Sequence, residues 1–446
     1  MNVVLISLDT LRADHMGCYG YFRDTSPNLD RLAEEGARFE NCISETAHTV
    51  PAYTSMICGQ TPVRHGVMGT LWCLPNENTD LLDDERPTLT ELLQLEGYVT
   101  CAVDNLAGMA FHPKWFTRGY DYYINPSPHP RKGKLRAERV NRFALPWIEQ
   151  HANTKESFFL FLHYWDAHAP YEPPAPFNAF FKPTTDDAPQ PYALRDGARF
   201  IPRWGRGERM TEKALQTTAY YDGAIRYADD QVGRALETLK RLGVYDETLI
   251  VVNADHGENM MEHNAHFEHR ECYDTTIRVP LIVKLPRALQ SSANRGAVVE
   301  ALVGHVDLTP TILDLVGARE IPPSDGVSLK PILTGAGGET HETICSTGYW
   351  VWDTNQWKSA EMSARTRKWK CLERADVAKL APGPKPPIGF YHRKYEEFLR
   401  LPKRELYDLE NDSDEQVNLA EDEPDVAGQM RARLLPWLES GKMAGR

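Results

Sequence analysis

Four short clusters carry residue types able to do chemistry. The first is Leu8-Asp9-Thr10, an acid closing an otherwise apolar run. Such an acid is a turn residue or a metal ligand. The second is Thr49-Val50-Pro51-Ala52-Tyr53-Thr54-Ser55, where Pro after Thr signals a helix start. A hydroxyl there is a plain cap or, facing free backbone N–H groups, a nucleophile for a phosphate or sulfate ester. The third is Ala254-Asp255-His256-Gly257-Glu258, in which adjacent Asp and His offer one oxygen and one nitrogen to a cation; His263, His266 and His269 follow closely. The fourth runs from His163 to Tyr171 and adds three more potential ligands or acid–base groups, His163, Asp166 and His168. The familiar alternatives G-x-x-x-x-G-K-[ST], G-x-G-x-x-G, G-x-S-x-G and H-E-x-x-H are missing.

The elements that must position these clusters alternate along the chain. Apolar runs predict strands at Val3–Leu8, Tyr98–Val103, Phe158–His163, Thr248–Asn253 and Pro280–Lys284, rich enough in Val, Ile, Leu and Phe to be buried on both faces. Helical patterns fall at Asn28–Gly36, Thr88–Leu95, Leu135–Gln150, Thr211–Leu242 and Leu308–Val316. The alternation predicts an α/β fold: a mostly parallel central sheet flanked by helices. Ligands then sit beyond the carboxyl ends of the strands, which singles out Asp9, Asp104, the His163–His168 run and Asp255. The region 170–205, rich in Pro and Asp, reads as a surface insertion. Residues 1–335 read as the catalytic domain and 340–446 as a smaller α+β domain, with strand-like pieces at Thr343–Ser346, Ser363–Arg365 and Trp369–Glu373, a Pro382–Pro387 loop and a closing helix near Asp425–Glu439.

The 446 residues carry 50 Lys+Arg against 63 Asp+Glu, a net charge of −13, which excludes nucleic-acid binding through bulk charge. No apolar run reaches membrane-helix length, so no membrane partner is expected. Eight widely spaced Cys and a start without a signal-peptide pattern predict a reduced, cytoplasmic chain.

Taken together, the clusters resemble the sulfatase branch of the alkaline phosphatase superfamily. The resemblance rests on L-I-S-L-D-T-L-R-A-D-H-M-G-C-Y-G, S-P-N-L-D-R-L-A-E-E-G-A-R-F, T-V-P-A-Y-T-S-M-I-C-G-Q-T-P-V-R-H-G-V, F-L-H-Y-W-D-A-H-A-P-Y and N-A-D-H-G-E, then R-V-P-L-I-V-K-L-P, H-V-D-L-T-P-T-I-L-D-L-V-G and E-L-Y-D-L-E-N-D, all in family order. It implies Asp9, Asp255 and His256 as metal ligands, Thr49 as a nucleophile that also touches the metal, and His168 and His269 as acid–base groups or ligands. The implied cofactor is a divalent ion (Zn, Mn, Ca or Mg), with a second site at Asp166, His168 and His269 left open. The implied partner is a small anionic ester; a homo-oligomer is left open.

Three departures from the family pattern matter. The C/S-x-P-x-R stretch, whose first residue sulfatases convert to formylglycine, reads Thr49-Val50-Pro51-Ala52-Tyr53, and Thr is no substrate for that conversion. The G-K-x-H-L-G clamp reads Val103-Asp104-Asn105-Leu106-Ala107-Gly108. The paired Asp-Asp opening reads Asp9-Thr10. An unmodified Thr in T-x-P resembles the nucleotide pyrophosphatase/phosphodiesterase branch. The leading expectation is therefore hydrolysis of phosphate esters, foremost phosphodiesters, through a phospho-Thr49 intermediate, with Asn105 bonding a non-bridging oxygen. The alternatives are a sulfuric-ester or phosphonate monoester hydrolase using Thr49 directly, and an inactive member that binds an anion or a partner. Asp30, Asp307, Glu405 and His305 read as structural, and Arg12 and Asp14 as groups that orient the ligands.

Overall fold

The computed structural model describes the chain except residues 68–81, 109–113, 128–134, 184–211, 261, 265, 292–293, 354–355, 375–400 and 441–446. From residue 184 onward the insertion at 170–205 lies outside the described residues, as does the whole Pro382–Pro387 loop.

Six strands come first: β1 (Asn2–Leu8), β2 (Ala37–Ile43), β3 (Val99–Val103), β4 (Tyr122–Ile124), β5 (Phe158–Tyr164) and β6 (Thr248–Asn253). A two-strand hairpin follows, β7 (Asn259–Met260) with β8 (His266–Glu268), then β9 (Arg278–Lys284) and β10 (Ala297–Gly304). The main sheet has the order β10-β2-β9-β6-β1-β5-β3-β4. Every neighbouring pair is parallel except the two that involve β9. The expected mostly parallel α/β sheet is thus present, with one reversed strand. That reversal brings the start of β9 to the edge where the parallel strands end.

Central strands are buried throughout: all seven residues of β5 and all six of β6 are buried. This is why F-F-L-F-L-H-Y and T-L-I-V-V-N stand out as apolar runs. The strands β2 and β10 escape such a reading because they alternate. Ala37–Ile43 carries Arg38, Glu40 and Asn41, and β10 begins half-exposed at the sheet edge. The predicted helices form at Pro27–Glu35, Leu89–Leu95, Ala137–His151, Glu212–Arg241 and Leu308–Val316. Among the described residues no helix is long and apolar enough to cross a membrane. Seven of the Cys are described, and all seven are free thiols.

The C-terminal part is a four-stranded antiparallel sheet, β11 (Ile344–Asp353), β12 (Gln356–Arg365), β13 (Trp369–Arg374) and β14 (Arg404–Asp408), with the helix Pro424–Ser440 against it. Ile344, Leu372, Tyr407 and Leu409 share one buried cluster with Ile43, Cys272, Tyr273 and Ile277 of the large unit. The small sheet therefore packs on the segment that leads out of the β7–β8 hairpin. Buried charges tie the two units: Lys370 Nζ lies 2.8 Å from Asp274 and 2.7 Å from Glu415. Glu405, expected to be structural, accepts from the hydroxyls of Tyr273 and Tyr407 at 2.8 and 3.0 Å.

Candidate active site

Strand ends assemble the site. Asp9 follows β1, Asp104 follows β3, and Asp255-His256 follow β6. One oxygen of Asp9, one of Asp255 and one nitrogen of His256 all lie within 4.8 Å of one another, and all three residues are fully buried. Asp255 Oδ1 accepts from the backbone N–H of Thr10 at 3.0 Å and of His256 at 2.8 Å, which leaves Oδ2 without a donor. Neither oxygen of Asp9 has a hydrogen-bond donor. Buried carboxylate oxygens without donors are costly unless a cation meets them. The site's donor set, two carboxylates and one imidazole, suits a divalent metal ion.

His256 is set up for the same task. Its Nδ1 lies 2.9 Å from the Gly257 carbonyl, which can only accept, so Nδ1 carries the proton and Nε2 presents its lone pair. That nitrogen faces Asp255 Oδ2 at 3.2 Å and Thr49 Oγ1 at 3.1 Å. Gly257 is required here by close approach: a Cβ would lie 2.1 Å from the Thr275 carbonyl oxygen. Arg12 secures the outgoing loop, donating from Nη1 to the Glu258 carbonyl at 3.0 Å and to Glu262 at 2.8 Å, while Asp14 takes its other edge. Arg12 and Asp14 thus sit around the ligand loop as expected. His305 holds the same loop from behind, with Nε2 2.8 Å from the Ala254 carbonyl. Asp30 and Asp307 bind backbone N–H groups, of Cys18 and of Gly304 and Val327.

Thr49 opens the helix Thr49–Cys58 but does not cap it; the cap position is His48, and no side chain caps this end. Pro51 lies in the first turn, where a missing N–H costs nothing. Freed from capping, the Thr49 hydroxyl turns to His256. It is also half-buried beside fully buried carboxylates, so it is the member of the group open to a substrate. Thr10 adds a strained element: its φ is +56°, unusual for a β-branched residue, and its hydroxyl is buried without a partner.

Further imidazoles gather at this edge. The His269 ring stacks on His256 with centroids 4.2 Å apart and lies 5.4 Å from His168. His269 Nδ1 donates to Glu258 Oε1 at 3.0 Å, and Glu258 in turn accepts from the Tyr171 hydroxyl at 2.7 Å. Burial, with the neighbouring His256 and His168, holds His269 well below the usual imidazole range. His168 Nδ1 donates to the Ala169 carbonyl at 2.6 Å.

Two expected members have partners outside the cation group. Asp166 Oδ2 accepts the first N–H of the helix Ala137–His151 at 2.8 Å, an anchoring task rather than a place in the cation group. Asn105 donates one N–H of Nδ2 to Ser127 Oγ at 3.1 Å and keeps the second. Among the described residues Asp9, Asp255 and His256 form the one group of three metal-ligating side chains. His263, from the histidine-rich stretch, lies flat on Tyr273 with ring centroids 3.6 Å apart.

His163 stands out in the sequence as one ligand or acid–base group of its run, but its partners do not. Its Nδ1 donates to Asp104 Oδ1 at 2.7 Å and its Nε2 stands 3.3 Å from Asp9 Oδ2. Despite burial, these two carboxylates raise the imidazole to about 9.

A family model described as Sulfatase matches residues 1–318. The chain belongs to the sulfatase family. It is a hydrolase acting on ester bonds. A second model, for the C-terminal part of N-sulphoglucosamine sulphohydrolase, matches residues 262–379 of this sulfatase-family chain. The multifunctional alkaline phosphatase superfamily protein PehA of Trinickia caryophylli is 27% identical over 74% of this chain and 77% of its own. The N-acetylglucosamine-6-O-sulfatase of Bacteroides thetaiotaomicron is 24% identical, covering 75% of this chain and 71% of its own. Among solved structures, the phosphonate monoester hydrolase of Agrobacterium radiobacter superposes with a TM-score of 0.72 at 21% identity, over 99% of this chain and 96% of that one. That likeness shows the shared fold of the sulfatase and phosphonate monoester hydrolase group.

Proposed function

We propose that this sulfatase-family chain hydrolyses a sulfate or phosphonate monoester with the unmodified Thr49 hydroxyl as nucleophile. The observation that carries the reading is the Thr49 hydroxyl held 3.1 Å from His256 Nε2, at the mouth of a buried carboxylate–imidazole group. The relatives support it, being named as sulfatases and as a phosphonate monoester hydrolase. Asp9, Asp255 and His256 would hold a divalent cation, which would supply Lewis acidity to a substrate oxygen and lower the pKa of a nearby hydroxyl.

The chain's own groups do the rest. Thr49 Oγ attacks sulfur or phosphorus; with His256 Nε2 given over to the cation, the hydroxyl proton would pass to His269 Nε2, on the ring stacked against His256 and held neutral by burial. The bond from sulfur or phosphorus to the leaving oxygen breaks, the electron pair goes to that oxygen, and His168 protonates it. Water then attacks the sulfur or phosphorus of the Thr49 ester and gives a proton to His168, the bond to Thr49 Oγ breaks, and His269 returns its proton to that oxygen, releasing sulfate or phosphonate.

A phosphodiester, the leading expectation from sequence, is the weaker reading. Stabilising that displacement with two metals requires a second ligand group. Among the described residues no second group of three such ligands forms, and Asp166 Oδ2 is bonded to the Ala137 N–H. An inactive, anion-binding member is also disfavoured, because the half-buried Thr49 hydroxyl meets His256 without serving as a helix cap. A panel of matched aryl sulfate, phenyl phosphonate, aryl phosphate and phosphodiester substrates tests the reading. Sulfate or phosphonate should give the highest kcat/KM; a dominant phosphodiester rate overturns it.

A further inference from the structure

Strand order places three side chains in a row. In the sequence β1-β5-β3, Ser7 is the register partner of His163 and Val103 that of Leu162. Asp9 and Asp104 each begin the turn after their strand, so His163 on the middle strand stands between them. Asp104 is fully satisfied: Oδ1 accepts from His163 Nδ1 at 2.7 Å, and Oδ2 accepts from the Leu106 N–H at 2.9 Å and the Tyr123 hydroxyl at 2.5 Å. Tyr53 closes the other side, its ring edge-on to His163 with centroids 4.7 Å apart and its hydroxyl tied to Ser7 Oγ at 2.8 Å.

The imidazole therefore has little freedom to turn. Its Nε2 is buried, makes no hydrogen bond, and stands 3.3 Å from Asp9 Oδ2. Asp9 is the only carboxylate of the cation group that no backbone N–H orients, since Asp255 is fixed by Thr10 and His256. We propose that Asp104 and His163 are positioning residues for Asp9, a carboxylate–histidine pair that fixes the orientation in which Asp9 takes a divalent cation. This inference rests on the reading of Asp9 as a cation ligand. It also accounts for an acid at position 104, where the resemblance leads one to look for a lysine. The acid serves the imidazole, and through it the ligand, rather than the substrate.

The test is direct cation binding by the full chain, stripped with a chelator and titrated with Mn²⁺ in a calorimeter. Circular dichroism checks the fold of each variant. Asp104→Asn and His163→Gln should each weaken Mn²⁺ binding about 10–100-fold, the usual cost of losing such a supporting partner. Tyr123→Phe keeps the pair and removes one hydroxyl from Asp104, so it should weaken binding less; this variant carries the test if the other two fail to fold. The rise in melting temperature on adding Mn²⁺ should shrink in the same order, whereas a merely structural role would lower the melting temperature with and without Mn²⁺ alike. Folded variants whose affinities stay within about twofold of the parent chain overturn the positioning role while leaving Asp9 as a ligand. A parent chain that binds no Mn²⁺, with Asp9→Asn indistinguishable from it, overturns the ligand reading and the positioning role with it.

Discussion

Thr49 and His256 stand 207 residues apart in the chain, yet Thr49 Oγ1 lies 3.1 Å from His256 Nε2. Because Nδ1 of that imidazole is spent on the Gly257 carbonyl, the hydroxyl is the donor in this pair and its lone pairs are left for an incoming ester. A helix start and a strand end converge to make the contact.

Replacing Thr49 should therefore remove chemistry without removing the fold. Thr49→Ala is expected to cut kcat by about a thousandfold or more, as for other lost nucleophiles, with an unchanged melting profile. Thr49→Ser keeps the hydroxyl and should retain measurable turnover. Steady-state kinetics on an aryl sulfate and a phenyl phosphonate read both.

The cation group predicts reversible loss on chelation. Asp9, with two buried oxygens and no donor, should tolerate the metal-free state poorly. Dialysis against a chelator should abolish turnover and lower the melting temperature, and added Mn²⁺ or Zn²⁺ should restore both. Asp255→Asn should lose the response to added metal. Persistent activity in the dialysed protein would count against the group.

His269 stacks on His256 and is anchored by Glu258 at 3.0 Å. If it takes the Thr49 proton, His269→Gln should lower kcat by about a hundredfold to ten-thousandfold, the usual range for a lost general base. The loss should be similar for good and poor leaving groups. Loss of His168, the proposed acid, should grow as the leaving group worsens. A leaving-group series on both variants separates the two roles.

Much of this was legible in the residues, and the limits have physical causes. Asp9, Asp255 and Thr49 stand out because each closes an apolar run or opens a helix, and a parallel sheet sends such ends to one edge. Asp166 and Asn105 also lie near that edge in sequence; a helix N-terminus bonds one and Ser127 the other, and neither partner shows in local spacing. The pairing of Asp104 with His163 depends on the strand order β1-β5-β3, which periodicity does not encode. The strands β2 and β10 were hidden by polar residues on exposed faces, and the reversal of β9 has no signature in R-V-P-L-I-V-K at all.

Stability should fall as pH rises from mild acid through neutrality. Burial, reinforced by the Asp307 carboxylate, lifts Glu45 from 4.5 to about 8, and burial beside Glu268 and Glu361 lifts Glu271 to about 8. Both are protonated in the fold at neutral pH, while the unfolded chain ionises them. Their contribution is complete below the unfolded value and disappears as pH rises through the folded one. The melting temperature should accordingly drop between about pH 4.5 and pH 8 and level off above that, and Glu45→Gln should flatten part of that slope. A flat profile in the parent chain would contradict the buried, neutral state of these two acids.

The most direct test of the central claim is the mass of the peptide carrying Thr49 after acid quench during turnover. An unmodified threonine before substrate is added, and a sulfuryl or phosphonyl adduct on Thr49 during turnover that is absent from Thr49→Ala, is the predicted result. Turnover with no adduct at Thr49, and with Thr49→Ala as fast as the parent, would contradict it.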